Sequence, residues 1–303
     1  MDVEKRIEYY WGNTDFGDIK PTQTEKLVDS PFEYTIEITD EITRQLKTFN
    51  YTRDVLRYIS YSHKKNLWFQ LGDSSYSGPP YPVLVKTRFI YNDVDNNGES
   101  GKTYNGVIAN LNYHRHWNSV TTIQRNAIEI PWNRKSPDFV WRGIDTGLKK
   151  KYGRNYFCEK FKDYNVGYYA TTGRNHINVD PYIKGHLNLD EMMKYKYLPV
   201  VEGNDKSSSF NWIVYSNCVP VMPKPRYDSW ACDAMLKPNI HYVEVKEDWS
   251  DFLEKIEWCR DNDSICKEIA MNGKKFISEI IDPTSNIKAE RGLVSKIDRF
   301  LTV

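Results

Sequence analysis

Three stretches of this 303-residue chain carry side chains whose types and spacing suit chemistry on a phosphorylated substrate. The first follows a short apolar run at 197–201 that ends in Glu202-Gly203-Asn204-Asp205, the pattern of a buried parallel strand delivering its chain into a turn. Lys206 and three serines, Ser207, Ser208 and Ser209, come next and open a helix-like segment at 210–216. A helix that opens on small hydroxyl residues presents free backbone N–H groups and the positive end of its dipole, so it can hold a phosphate without a metal. Lys206 would add a full charge. Plain capping of the helix by serine is the competing reading.

The second stretch is 138–147, a short strand running into a loop with Gly143, Thr146 and Gly147, followed by a basic helix start at 148–150. Small residues let backbone approach a ligand, and Arg142 offers a planar five-donor fork suited to phosphate oxygens. The alternative is a surface turn with an exposed arginine. The third is Asp73, which follows an apolar run at 66–71 and Gly72. A carboxylate at the C-terminal edge of a parallel strand stands where open α/β sheets place their ligands, although Asp73 could also only cap or turn the chain. The Arg142 loop and the Lys206 turn emerge from neighbouring βα units, so one diphosphate held from both sides would explain the concentration of donors there.

The elements that must position these groups follow from periodicity. Strand 197–201, helix 210–216 and a second apolar run at 218–222 make one βαβ unit. With a helix at 155–162, a strand at 166–171 and a helix at 189–195, the second half reads as α/β. Upstream, a helix at 51–62 with Val55, Leu56 and Ile59 inward feeds the strand before Asp73, and strands follow at 82–91 and 106–111, with a helix at 123–130. The stretch 131–137, polar and with two prolines, resembles an interdomain linker and divides the chain into domains at 1–134 and 135–285. Helical stripes close the chain: Phe252, Leu253, Ile256 and Cys259 on one helix, Ile265, Ile269, Phe276, Ile277 and Ile280 on the next, and a last helix within 286–303. Residues 1–48 mix charged helix-like pieces with a short β-rich run at 34–38.

Composition narrows the function. Hydrophobic residues make up 40% of the chain and aromatics 14%, enough for a full core and two ordinary domains. Lys plus Arg (42) nearly balance Asp plus Glu (41), which excludes the global basic field of nucleic-acid binding, so any anion site is local. The charged N-terminus and the lack of a membrane-length apolar stretch lead to the expectation of a cytoplasmic protein without a membrane span. The five cysteines are scattered without CxxC spacing, against a disulfide framework or a zinc site. Asp93-Val94-Asp95 is a DxD, a metal–diphosphate motif, and also begins like a calcium loop. Position twelve of that loop, however, would be Tyr104, and the run DNNG is an ordinary polar turn. His114 and His116 lack a third ligand in sequence and read as wall residues near a cleft.

Several ordered blocks resemble family 90 glycosyltransferases: Phe139-Val140-Trp141-Arg142-Gly143 with Thr146-Gly147, Tyr197-Leu198 through Glu202-Gly203-Asn204-Asp205, Tyr215-Ser216-Asn217-Cys218-Val219, Ser229-Trp230 through Leu236-Lys237-Pro238, and His241-Tyr242. The likeness runs from about Leu67 to Pro283. This family includes protein O-glucosyltransferases, fungal capsule xylosyltransferases, and shorter bacterial and large-virus members that this chain matches better. The resemblance implies an α/β GT-B-type fold, two Rossmann-like domains facing across a cleft with C-terminal helices packing back, a UDP-sugar donor, a glycan acceptor and no required cofactor or metal. It implies inversion at the anomeric carbon with Asp73 as general base, and a donor of UDP-xylose, slightly ahead of UDP-glucose. Arg142 and Gly143, Thr146, Asp205, Lys206 and the three serines would then hold the diphosphate, and Asp233 would contact ribose or donor sugar. A non-catalytic carbohydrate-binding protein on the same fold is the alternative.

Overall fold

A computed structural model describes residues 1–12, 33–35, 51–63, 67–73, 82–90, 106–147, 151–172 and 178–300. It is a mixed α/β structure in two compact units, the first made of residues 1–114, 226–233 and 279–303, the second of 115–225 and 234–278.

The first unit opens with helix α1 (Val3–Trp11), stopped at Gly12, whose φ of 81° suits a residue without Cβ. Its sheet has the order β1 (Glu33–Thr35), β2 (Trp68–Gln70), β3 (Leu84–Val85), β5 (Val107–Ile108), with β1 antiparallel to β2 and the rest parallel. Helix α2 (Thr52–Tyr61) leads into β2. It buries Val55, Tyr58 and Ile59, while Leu56 is exposed, contrary to the inward position expected of it. Residues 55, 58 and 59 share one helical face, and 56 lies a full 100° step from 55. The single strand expected at 82–91 is broken at Lys86: β3 joins the parallel sheet, and β4 (Thr87–Phe89) pairs antiparallel with β11 (Tyr227–Ser229).

Helix α3 (Tyr113–Arg125), whose residues from Arg115 onward belong to the second unit, carries His114 and His116, and the helix expected at 123–130 ends at Arg125. The expected linker is a 3₁₀ turn (Trp132–Arg134) followed by β6 (Ser136–Phe139). Pro137 is tolerated there because β6 is the edge of a parallel sheet ordered β12 (Val243–Glu244), β10 (Val219–Met222), β9 (Tyr195–Pro199), β6. After Val140 the same extended stretch changes partner, and β7 (Trp141–Ile144) pairs in parallel with β8 (Val166–Ala170). Between these strands lie α4 (Arg154–Lys160), α5 (Leu189–Met192) and α6 (Ser209–Tyr215). An aromatic core of Phe139, Trp141, Phe157, Tyr168, Tyr197 and Phe252 fills the layer against the sheet.

Helices α7 (Phe252–Asp261) and α8 (Asp263–Ile281) follow. α7 buries Phe252, Ile256 and Cys259, and α8 buries Ile269, Ile277 and Ile280. Leu253 and Ile265, placed on the inward stripes by sequence, are instead exposed. Pro283 begins α9 (Pro283–Phe300), where its missing N–H costs nothing. Within the first unit α9 packs on α1 and α2: Arg6 donates to Ser285 Oγ (2.9 Å) and Asn286 Oδ1 (2.9 Å), and Arg57 to Glu290 Oε2 (3.1 Å). Among the described residues no helix is long and apolar enough to cross a membrane.

Candidate active site

Within the second unit, a cleft of about 410 Å³ lies at the C-terminal ends of β7 and β9, and Arg142, Gly143, Ser207, Ser208 and Ser209 all line it. Parallel strands bring the ends of successive βα units to one edge, which is why side chains more than sixty positions apart meet here.

The two loops that frame the cleft are locked together. Gly147 has φ 70°, and a Cβ there would come within 2.4 Å of the Gly203 carbonyl oxygen. The Gly147 N–H donates to Asn204 Oδ1 (3.0 Å). A Cβ on Gly203 would meet Thr146 Oγ1 at 3.0 Å and the Arg154 guanidinium at 3.1 Å, so the second glycine leaves room for that arginine.

Arg154, which the sequence reading did not single out, is the buried cation of this site. It opens α4, lines the cleft, and is 8% exposed. Its guanidinium donates to Ile144 O (3.0 Å), Thr146 Oγ1 (2.6 Å) and Val201 O (3.4 Å), and lies 5.8 Å from the centre of the Trp141 ring. All of these partners are neutral. Burial pulls its pKa down to about 10, and the positive charge of Arg115 pushes the same way. Arg115, exposed on the first turn of α3, lines the cleft as well. A withdrawn guanidinium with neutral partners and a second cation nearby is a site that an anion completes. The local sequence, Gly153-Arg154-Asn155, reads only as a helix start; burial on Trp141 is a tertiary fact.

The serine turn has an unexpected geometry. Ser208, the N-cap of α6, is in helical conformation and makes no side-chain cap bond, while the hydroxyls of Ser207 and Ser209 hydrogen bond to each other at 2.8 Å. The serines therefore do not cap the helix with their side chains. Lys206 and Asp205 are buried, and Lys206 Nζ donates to Asn211 Oδ1 (3.1 Å) and sits 5.1 Å from the Phe210 ring centre. Thr146 takes part through its bond from Arg154.

Arg142 lines the cleft with most of its donors engaged. Nε donates to Gly185 O (3.0 Å), Nη1 to Trp141 O (2.9 Å) and Asn165 O (3.0 Å), and Nη2 to Asn165 Oδ1 (2.6 Å). Partial burial lowers its pKa. Four of its five N–H groups thus clamp neighbouring chain.

Asp73 and Asp233 belong to the first unit. Asp73 follows β2 after Gly72, whose φ is 108°, and pairs through Oδ1 with Lys86 Nζ at 2.5 Å. Asp233 is buried and accepts a short hydrogen bond from the Ser229 hydroxyl, which in turn accepts from the Ala231 N–H (3.1 Å). The DxD at Asp93 and Asp95 lies outside the described residues. Among the described residues no group of three or more His, Cys, Asp or Glu could hold a metal ion.

The fold and the cleft define a mixed α/β protein with a cleft lined by arginine and serine side chains at the ends of parallel strands. The glycosyl transferase family 90 model matches residues 103–285, and the chain belongs to that family. It is similar to the O-glucosyltransferase LpsA of Dichelobacter nodosus, 26% identical over 77% of this chain and 66% of that protein. It is also similar to the uncharacterized protein 179R of Invertebrate iridescent virus 6 (28% identical, 57% of this chain and 18% of the relative) and to Protein O-glucosyltransferase 2 of Danio rerio (31% identical, 32% and 19%). The matches span less than two thirds of each relative's own length.

Proposed function

We propose that the chain transfers a sugar from a UDP-sugar to a hydroxyl group of a glycan or protein acceptor, with inversion and without a metal, on a GT-B-type fold. The observation that carries this reading is Arg154, a buried guanidinium held only by neutral oxygens in a cleft shared with Arg115 and the serine turn. In a family 90 glycosyltransferase the anion such a site calls for is the donor's diphosphate. Arg154 would face the charge that grows on the leaving phosphate as the bond to the anomeric carbon breaks, Arg115 would add long-range attraction, and the serine turn would donate hydrogen bonds. Arg142 contributes its one remaining N–H and the rigidity of its clamp.

In the reaction the acceptor oxygen attacks the anomeric carbon, the sugar–phosphate bond breaks with its electron pair going to the nucleoside diphosphate, and the acceptor proton passes to a base. We assign that base to Asp73, fixed by its ion pair with Lys86. Sequence reasoning put xylose slightly ahead of glucose as the transferred sugar; the O-glucosyltransferase names of the bacterial and fish relatives favour glucose.

The test is a panel of sugar nucleotides incubated with wild type and with Asp73→Asn. The reading expects one UDP-sugar to be turned over and Asp73→Asn to lose roughly 10²–10⁴-fold in rate while still binding UDP. Nucleotide binding by neither protein, with sugar binding retained, would favour the non-catalytic carbohydrate-binding alternative.

A further inference from the structure

The cleft has a wall that the phosphate reading does not use. Three aromatic side chains line it, and they differ in one respect: Trp141 and Trp212 are 4% and 6% exposed, while Tyr169 keeps 41% of its surface. The two tryptophans are structural, one under Arg154 and one on α6. Tyr169 alone among them offers a ring to a ligand.

Its position follows from strand alternation. In β8 Tyr168 turns into the core and is fully buried, so its neighbour Tyr169 turns the other way. A second segment braces that side. Tyr168 bridges in parallel to Ile183, the Lys184 N–H donates to Tyr168 O (2.9 Å), and a Cβ on Gly167 would strike Lys184 Cγ at 2.3 Å and Tyr182 O at 2.4 Å. The segment is thus pressed against the strand. Gly185, at φ 77°, then turns the chain and its carbonyl takes the Arg142 Nε donor, which fixes the next residue, His186. The His186 ring stands perpendicular to Tyr169 at 87° with centroids 5.4 Å apart. The phenol ring is therefore supported by a perpendicular neighbour.

We propose that Tyr169, braced by His186 and the Arg142 clamp, is the platform on which the nucleobase of the donor stacks. The inference rests on the reading of the cleft as the donor diphosphate site. The chemistry of the lining separates a base from a sugar. No Asp, Glu, Asn or Gln lines the cleft among the described residues, so the paired acceptors that usually read sugar hydroxyls are missing there. What lines the cleft together with Tyr169 instead is cationic at Arg115 and Arg154 and apolar at Met192 and Leu198. That combination suits an anion joined to a flat ring. Stacking of a base on an aromatic side chain is worth about 1–3 kcal/mol and accepts any base, so Tyr169 supplies affinity and orientation while base identity is read elsewhere.

Calorimetric titration of the full chain with two probes separates the parts: inorganic pyrophosphate reads the anion site, and UDP reads that site plus the platform. For Tyr169→Ala the expected result is a UDP affinity weakened on the order of tenfold or more, with pyrophosphate affinity unchanged and with Tyr169→Phe restoring UDP binding. Tyr169→Leu should behave as the alanine variant does and guards against loss of fold in either one. Unchanged UDP affinity in both variants, or an equal weakening of both probes, overturns the platform. So does a rise in acceptor KM alone, which would assign the ring to the acceptor. A wild-type chain that binds neither probe sinks the donor-site reading and this inference with it, an outcome distinct from failure of the platform.

Discussion

Arg57 in the first unit is partly buried and Arg154 in the second is buried, and their surroundings are opposite in kind. Arg57 donates to Asp54 Oδ1 (2.7 Å) and Glu290 Oε2 (3.1 Å), and also to Asn110 O (2.9 Å). Although burial alone would lower its pKa, the two carboxylates raise it. Arg154 has backbone carbonyls and one hydroxyl, and burial lowers it. The first is a finished ion cluster that joins α2 to α9; the second is a cation held only by neutral oxygens, the arrangement on which the proposed diphosphate site rests. A buried arginine is therefore informative about function only after its partners are counted.

The comparison can be broken most sharply at Arg57. Arg57→Met leaves Asp54 and Glu290 facing each other without a cation, and should cost about 3–5 kcal/mol in urea unfolding. A cost below that of any exposed ion pair would show the cluster to be incidental. Arg154→Met removes hydrogen bonds but strands no carboxylate, so its cost should be smaller, about 1–3 kcal/mol. The signature there lies in ligand response: pyrophosphate should raise the melting temperature of wild type and leave that of Arg154→Met unmoved. Equal stabilisation of both proteins would remove Arg154 from the anion site.

The smallest effect concerns acid. Asp263 accepts from Lys196 Nζ (2.6 Å) and Trp132 Nε1 (2.9 Å); burial pushes its pKa up, but these donors outweigh it and the net shift is downward. A carboxyl whose folded pKa is depressed adds stability above its unfolded pKa and loses it as pH falls through the folded one. Lys196→Met should therefore cost a few tenths of a kcal/mol at neutral pH, the pair being partly exposed, and nothing once Asp263 is protonated. Glu290 has the reverse sign: burial first raises its pKa, more than Arg57 and Asn110 lower it, so its contribution becomes less favourable as pH rises past the ordinary carboxylate range. Unfolding profiles of Lys196→Met and Glu290→Gln against wild type, between acid and neutral pH, check both signs.

Much of the second unit was legible because its strands are short apolar runs cut by glycine or polar turns. The βαβ unit from β9 to β10 follows from parallel order, and the meeting of Gly143 with Ser207–Ser209 from that order together with the continuous run from β6 into β7. What escaped is what depends on a side chain's neighbours. Nothing in Gly153-Arg154-Asn155 tells that the guanidinium will lie on Trp141, and nothing in Trp141-Arg142-Gly143 tells that the carbonyls of Asn165 and Gly185 will take up the fork. Tyr168-Tyr169 was read simply as strand; alternation shows that one ring is buried and the other open, but only the packing of 182–186 shows that the open one is braced. Leu56, Leu253 and Ile265 failed for a simpler reason, since an apolar residue next to a buried stripe need not belong to it.

The meeting of Gly147 with the Gly203 carbonyl has a consequence for anyone redesigning this chain. Two backbones touch there with no side chain between, so neither loop can lengthen or take on bulk without prying the other away. New ligand preferences should therefore be sought in point changes on the surrounding walls, and libraries that vary the length of these locked loops should return mostly poorly folded clones.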